Sequence, residues 1–328
     1  MRNSPFQSAV AFYVALAALV LVLPGLMGSV ATASVVLVFA IAAASCNLLL
    51  GYAGLLSFAQ GSFFGVGSYV IGLALKTWPG LGLAALPLSM AAGMTVAFII
   101  GALSIRQRGI YFVMITLAMA QLAFFAALSF PALTGGENGL LDIPRPALGL
   151  DGLVNEGQAQ YLLAVLAFFC VFAFLRRVVS SPFGKVLDAT RENEIRAVTV
   201  GYNVQKLKLV AFCISGALTA LAGALYALQL RSAPLSNIDL MTSETILVMA
   251  ILGGRRSLIG AAFGALAMTL MAEQLSQIWP RWQMIVGFVL IAIVLYAPDG
   301  LSGLWRQLTE KFKSRTTDGS VKVQVKRS

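Results

Sequence analysis

Apolar runs recur along most of this chain, and that recurrence restricts its fold more than any other feature. They lie at about 8–23, 30–50, 51–75, 82–103, 109–130, 160–175, 207–230, 243–252, 258–277 and 285–297. Most are long enough to cross a bilayer, since a spanning helix needs about 20 predominantly apolar residues. Composition agrees: 59% of the 328 residues are hydrophobic and only 11% are charged, with a mean hydropathy of +0.87. Soluble domains carry roughly 25% charged residues, so this chain lacks the polar surface to cover a water-facing globule. The expected fold is all-α: a polytopic transmembrane helical bundle of about ten spans, within a range of about eight to eleven.

The net charge of +10 is a topology signal rather than a nucleic-acid footprint, because of where it sits. Of the 23 basic residues, seven lie between Arg176 and Lys208 and seven between Arg306 and Arg327. Basic clusters beside spans mark the cytoplasmic side. The loop at 131–159 has Glu137, Asp142, Asp151 and Glu156 against Arg145 alone, and its scarcity of lysine and arginine puts it outside. Ala31-Thr32-Ala33 resembles a signal-peptide cleavage site, but cleavage there would cut into the second apolar run, so both first runs are expected to be retained. If the short run at 243–252 crosses, both termini are cytoplasmic. If it only re-enters, the basic tail would lie outside, against the positive-inside rule.

The chain has no histidine, which excludes imidazole-based proton relays, zinc sites and catalytic triads. Cys46, Cys170 and Cys213 have no paired spacing and are expected to be small buried hydrophobes. No metal site and no catalytic residue is expected.

Glycine concentrates at positions 51, 54, 61, 65 and 67. Each glycine inside a helix costs about 1 kcal/mol relative to alanine. Gly61 and Gly65 form a GxxxG pair suited to close helix approach. Packing is the commoner meaning of such glycines, and the stretch could also break to line a cavity, with Ser57 and Gln60 facing it. Thr116 and Gln121 lie inside a later span, where a glutamine must find a partner. Ser215, Thr219, Gly223 and Ala227 recur every four residues as a small-residue stripe. A second glycine-interrupted region covers 243–264, and paired broken segments in two halves of a chain point to a transport site. Glu244 is expected near the outer mouth. Interhelical packing or hydrogen bonding is the structural alternative for each of these residues.

The stretch 180–203 is polar, carries both charge signs and lies in the middle of the chain. Ser181 suits an N-cap with Pro182 at the first helical position, and Gly201 and Asn203 supply a stop. One helix is expected, with Glu192 and Arg196 paired at i,i+4 and Phe183, Val186, Leu187, Thr190, Ala197 and Val198 sharing a face. It could lie on headgroups or dock in a groove of a soluble partner. Five basic against three acidic residues between Arg176 and Arg196 favour the groove.

Several stretches together resemble the LivM-type permeases of branched-chain amino-acid ABC importers. They are GYAGLLSFAQGSFFGVGSY at Gly51–Tyr69, GIYFVMITLAMAQ at Gly109–Gln121, TGGENGL at Thr134–Leu140, SPFGKVLDATRENEIRAVTVGYNV at Ser181–Val204, and LGG at Leu252–Gly254. The resemblance implies a permease domain at 1–305, a basic cytoplasmic tail at 306–328, and a coupling segment at 180–203 that fits a cleft on an ATPase subunit. Importer permeases often carry Glu-Ala-Ala-x-x-x-Gly there; this chain keeps Ala197 and Gly201 but has Ile195 and Arg196 at the preceding positions. The candidate coupling residues are Phe183, Lys185, Arg191, Glu192, Glu194, Arg196, Ala197 and Gly201. The candidate pathway residues are Ser57, Gln60, Gly61, Gly65, Thr116, Gln121 and Glu244.

The resemblance further implies a bacterial inner-membrane assembly with a LivH-type permease, two ATPase subunits and a periplasmic solute-binding protein. The chain has no G-x-x-x-x-G-K-[ST] loop, so it is expected to bind no cofactor itself and to be no enzyme, with ATP and Mg on the partner ATPases. A urea or short-amide importer is the alternative within the family, and an ion-coupled secondary transporter the alternative outside it.

Overall fold

The computed structural model describes residues 5–144, 146, 156–254, 256–279, 281–296 and 303. Arg145, Asp151, Arg255, Pro280, Ala297 and the tail at 306–328 lie outside the described residues. The chain opens with α1 (Pro5–Met27) and α2 (Val30–Asn47), which continues as a π-helix over Leu48–Ala53. Then come α3 (Gln60–Thr77), α4 (Ala85–Ser104), α5 (Ile110–Ser129) and the short α6 (Pro131–Thr134). A long α7 (Glu156–Ser180) leads to α8 (Pro182–Glu192) and α9 (Glu194–Thr199). The last part holds α10 (Val204–Leu230), α11 (Leu240–Gly253), α12 (Leu258–Ile278) and α13 (Trp282–Tyr296). Among the described residues there is no strand, only an isolated bridge between Leu140 and Ala233.

Among the described residues, six helical segments are long and apolar enough to cross a membrane: Val30–Ala53, Gly80–Ser104, Ile110–Ser129, Gly157–Ser180, Val204–Leu230 and Leu258–Gln277. The other expected crossings fall on α1, α3, α11 and α13, and none of these four meets both criteria. Among the described residues, the count that length and composition carry is therefore six.

Two helices form the centre. Of the α2 span 89% is buried and of the α10 span 78%, against 28% for the α4 span and 22% for α5. α10 packs on α2, α3 and α4, and α2 packs on α7, α11 and α12. The small-residue stripe makes this possible. Ser215, Thr219, Gly223 and Ala227 are all buried, and a side chain at Gly223 would run into the backbone of Phe64 on α3. Gly216 meets α4 at Gly93 and Ala97 in the same way. Such contacts replace the hydrophobic drive that lipid removes. α3 runs parallel to α10, with Gln60 beside Ser215 and Thr219, and Ser68 beside Gly223.

The cysteines divide. Cys46 and Cys213 are buried as expected, but Cys170 is exposed on the outward face of α7. α7 is a rim helix with 33% of its span buried, so its spacing turns this residue away from α2.

Candidate functional site

Both glycine-interrupted regions are broken helices, and they meet. After the π-helix, Gly54 takes a left-handed conformation (φ 68°) and the chain stays non-helical until α3 starts at Gln60. Short π-helices tend to mark functional sites within longer helices. On the other side, the chain leaves α10 at Arg231 and turns back toward the core, where Ile238 and Asn237 are buried, before α11 starts at Leu240. The amide of Gly61 donates to the Ser243 hydroxyl at 2.7 Å. A Cβ on Gly61 would lie 2.6 Å from the Asp239 carbonyl oxygen, so only glycine permits this crossing. Gly65 accommodates Ile238 in the same manner.

The crossing lies at mid-depth. α10 spans about 40 Å at 1.5 Å per residue, and its midpoint falls near Ala217. Gln60 donates to Ser215 Oγ (3.2 Å) and accepts from Thr219 Oγ1 (2.7 Å), two residues to either side of that point. α11, with 14 residues, is about 21 Å long, short of the roughly 30 Å hydrocarbon core. It therefore covers only the part of the bilayer between the crossing and the turn that follows it.

The sequence-derived pathway residues separate into two groups. Ser57, Gln60 and Thr116 are buried and satisfied within the chain. Ser57 Oγ accepts from the Ala59 amide (3.2 Å), and Thr116 Oγ1 accepts from the Phe58 amide (3.4 Å) while donating to the Val113 carbonyl (2.9 Å). They hold the unwound segment in shape, as Gly61 and Gly65 hold the crossing. Gln121 and Glu244 differ. Gln121 is half-buried near the middle of α5, and Glu244 is exposed on α11. Neither has a hydrogen-bond or ionic partner among the described residues. Glu244 follows Ser243, so it lies level with the middle of α10, whereas the sequence expectation put it near the outer mouth. The re-entrant stretch before α11 carries the chain inward before the helix begins.

The polar stretch is two helices rather than one. Ser181 caps α8 as expected, accepting from the Gly184 amide at 3.4 Å. Asn193 then takes an extended conformation and caps α9, its Oδ1 accepting from the Arg196 amide at 2.9 Å. Asparagine favours such caps over helix interiors, and the break separates Glu192 from Arg196, which form no ion pair. At the far end Tyr202 N–H reaches the Ala197 carbonyl and Gly201 N–H the Val198 carbonyl, a Schellman stop with Gly201 at φ 98°.

The break also re-sorts the candidate coupling residues. Ala197 turns inward, Phe183 packs beside Leu187, and Lys185, Glu192 and Arg196 remain exposed. Glu194 pairs with Arg108 (3.3 Å) and Lys208 (3.1 Å). Arg191 donates to the Gly51 carbonyl in the π-helix. Ile195, Val198, Val200 and Tyr202 are left as an exposed apolar patch.

Four residues that the sequence did not single out tie this segment and the broken helices together at the turn after α11. Asp188 on α8 pairs with Arg256 in the turn after α11. Asn47, fully buried at the end of α2, donates to the carbonyls of Gly254 and Ser257 (3.0 Å each) and accepts from the Arg256 amide (3.3 Å). Tyr52 Oη donates to the Arg256 carbonyl at 2.9 Å. α8 is thus joined at Gly51 to one broken helix and at Arg256 to the other. Beside it lies a cavity of about 520 Å³, lined by Gly54, Leu55, Leu56, Arg108, Phe112, Thr190, Arg191, Glu194 and Lys208 among others.

A bundle of long apolar helices around two interrupted ones, with a charged helical pair gripping both interruptions, defines a multi-pass helical membrane protein of the transporter kind. Residues 28–295 match the family described as branched-chain amino acid transport system / permease component, and the chain belongs to that family. It is 27% identical over 320 residues to the high-affinity branched-chain amino acid transport system permease protein LivM of Escherichia coli strain K12, covering 90% of this chain and 75% of that protein. It is 25% identical over 288 residues to the corresponding LivH protein of Salmonella typhimurium, covering 81% and 91%. The autoinducer 2 import system permease protein LsrC of Photorhabdus laumondii is 27% identical over 246 residues, covering 72% and 71%. No solved structure matches the chain.

Proposed function

We propose that this chain is one of two related permease subunits of an ATP-driven importer that moves branched-chain amino acids into the bacterial cytoplasm. In this reading it crosses the inner membrane about ten times, α1, α3, α11 and α13 included, with both termini cytoplasmic. Its partners are a LivH-type permease, two ATPase subunits that bind ATP and Mg, and a periplasmic solute-binding protein.

The observation that carries the mechanism is the double attachment of α8, through Arg191 to Gly51 and through Asp188 to Arg256. The apolar patch of Ile195, Val198, Val200 and Tyr202 has no place against water and suits a groove on the ATPase. When ATP draws the ATPase subunits together, α8 and α9 follow as a lever. Their displacement reaches Gly51, below the unwound segment, and Arg256, below α11. The crossing at Gly61 and Ser243 then shifts, and access at mid-depth changes from the outer to the inner side. The cavity beside Arg108 and Lys208 is the release vestibule, its apolar walls and mixed charges matching a zwitterion with an apolar side chain.

The experiment is uptake of labelled leucine in cells lacking this gene, with and without complementation. Unlabelled isoleucine, valine, urea and short amides serve as competitors, and ATP or the ion gradients are depleted in turn. Competition by isoleucine and valine, together with loss of uptake on ATP depletion alone, supports the reading. Competition by urea or amides would assign the other substrate class of the family, and uptake that follows an ion gradient without ATP would assign a secondary transporter.

A further inference from the structure

Glu244 is exposed at the middle of the membrane with no partner, and that position limits what can lie against it. Its depth follows from Ser243, which accepts the Gly61 amide at 2.7 Å, and from Gln60 between Ser215 and Thr219 halfway along α10. A carboxylate facing lipid tails at this depth is strongly disfavoured, so ionisable residues inside spans face protein or a water-filled cavity. Among the described residues the face is open: Glu244 is exposed, and Met241 beside it is 64% exposed. Gln121 repeats the observation on a neighbouring helix. It sits near the middle of α5, half-buried and without a partner among the described residues, and a mid-membrane amide likewise does not face lipid.

We propose that the α11 face bearing Glu244 lines a water-filled conduit at the middle of the membrane, closed on its open side by the second permease subunit. In that conduit the Glu244 carboxylate holds the ammonium group of the amino acid in transit. The occupant is neither lipid nor a dry protein surface, because both leave the carboxylate unsolvated. The ammonium assignment rests on the import reading above, whereas the conduit does not. A single acid on an otherwise apolar and amide-bearing face gives weak, charge-selective holding, which a transported solute needs in order to leave again.

The test uses the full importer in cells, with this chain's cysteines replaced by alanine. Glu244→Cys is treated with a small charged thiol reagent, and the comparison is a chain that keeps only Cys170, exposed near the middle of the rim helix α7. The substituted position should react about tenfold faster or more, since only the thiolate reacts and hydrocarbon suppresses it. A rate no higher than that of Cys170 overturns the conduit, and a dry ion pair with the partner subunit would give that outcome. For the ammonium role, Glu244→Gln should lower maximal leucine uptake about tenfold or more at equal protein level, the scale of one charge-assisted hydrogen bond, while Glu244→Asp keeps most of it. Wild-type uptake in Glu244→Gln overturns that role. If the unmodified importer carries no leucine, the import reading fails and the ammonium role with it, while the thiol reaction still decides the conduit.

Discussion

Replacing Gln60 with leucine separates a packing role from a transport role for a fully buried glutamine. The substitution keeps the volume and removes two interhelical hydrogen bonds, one to Ser215 Oγ at 3.2 Å and one from Thr219 Oγ1 at 2.7 Å. Side-chain bonds between helices in a membrane average about 0.6 kcal/mol and reach about 1.7. Ser215 keeps its bond to the Ser45 carbonyl at 2.8 Å, and the Thr219 hydroxyl can turn back to its own helix, so neither is stranded. The expected loss is therefore about 1–2 kcal/mol, a fall in the melting midpoint of a few degrees. Thermal unfolding of purified Gln60→Leu, Thr219→Val and the double variant should give a coupling energy of about 0.6–1.7 kcal/mol. Leucine uptake by Gln60→Leu, at equal protein level, should stay close to wild type. A coupling energy of zero, or abolished uptake with an unchanged melting midpoint, would refute the packing account.

Gly61→Ala should cost about 1–3 kcal/mol, because the new methyl lies 2.6 Å from the Asp239 carbonyl and 2.7 Å from Ser243 Oγ. Gly25→Ala, also inside a helix but with nothing within 4 Å of its Cβ, is the matched control and should leave stability unchanged or raise it by up to about 1 kcal/mol in the same melting assay. Val198→Asp, at a position 52% exposed, should leave folding unchanged and abolish copurification of the ATPase subunits. Asn193→Ala removes the cap of α9 and should cost about 1 kcal/mol, read as faster proteolysis between α8 and α9.

Much of the bundle was legible because span length and apolarity are local properties. The stripe from Ser215 to Ala227 and the glycines at 61 and 65 announced close helix contacts, and those contacts are present. Their partners were not legible, since a GxxxG pair does not say which backbone approaches it. The break at Asn193 was visible only as an ordinary asparagine inside a helical pattern, and its competing cap decided the outcome. The depth of Glu244 depended on a re-entrant stretch that reads, in sequence, as a short outer loop. Asp188 and Arg256 are 68 residues apart, and neither has a local pattern that predicts their pairing. Asn47 is hidden in the same way, as one polar residue at the end of an apolar run whose three bonds all reach the turn after α11.

In the proposed mechanism α8 transmits ATPase movement to the broken helices through Asp188 and Arg256. Their side chains are 24% and 48% exposed, so the pair contributes at most about 1 kcal/mol to stability, and its loss need not unfold the protein. The most direct measurement is leucine transported per ATP hydrolysed, in proteoliposomes holding the full importer, for Asp188→Arg, Arg256→Asp and the double swap. Arg256 has a left-handed backbone (φ 66°), which aspartate tolerates, so the swapped pair can form. Both single variants should hydrolyse ATP with little leucine moved, and the swap should restore a large part of the wild-type ratio. Wild-type ratios in the single variants, or a swap no better than either, would contradict the account.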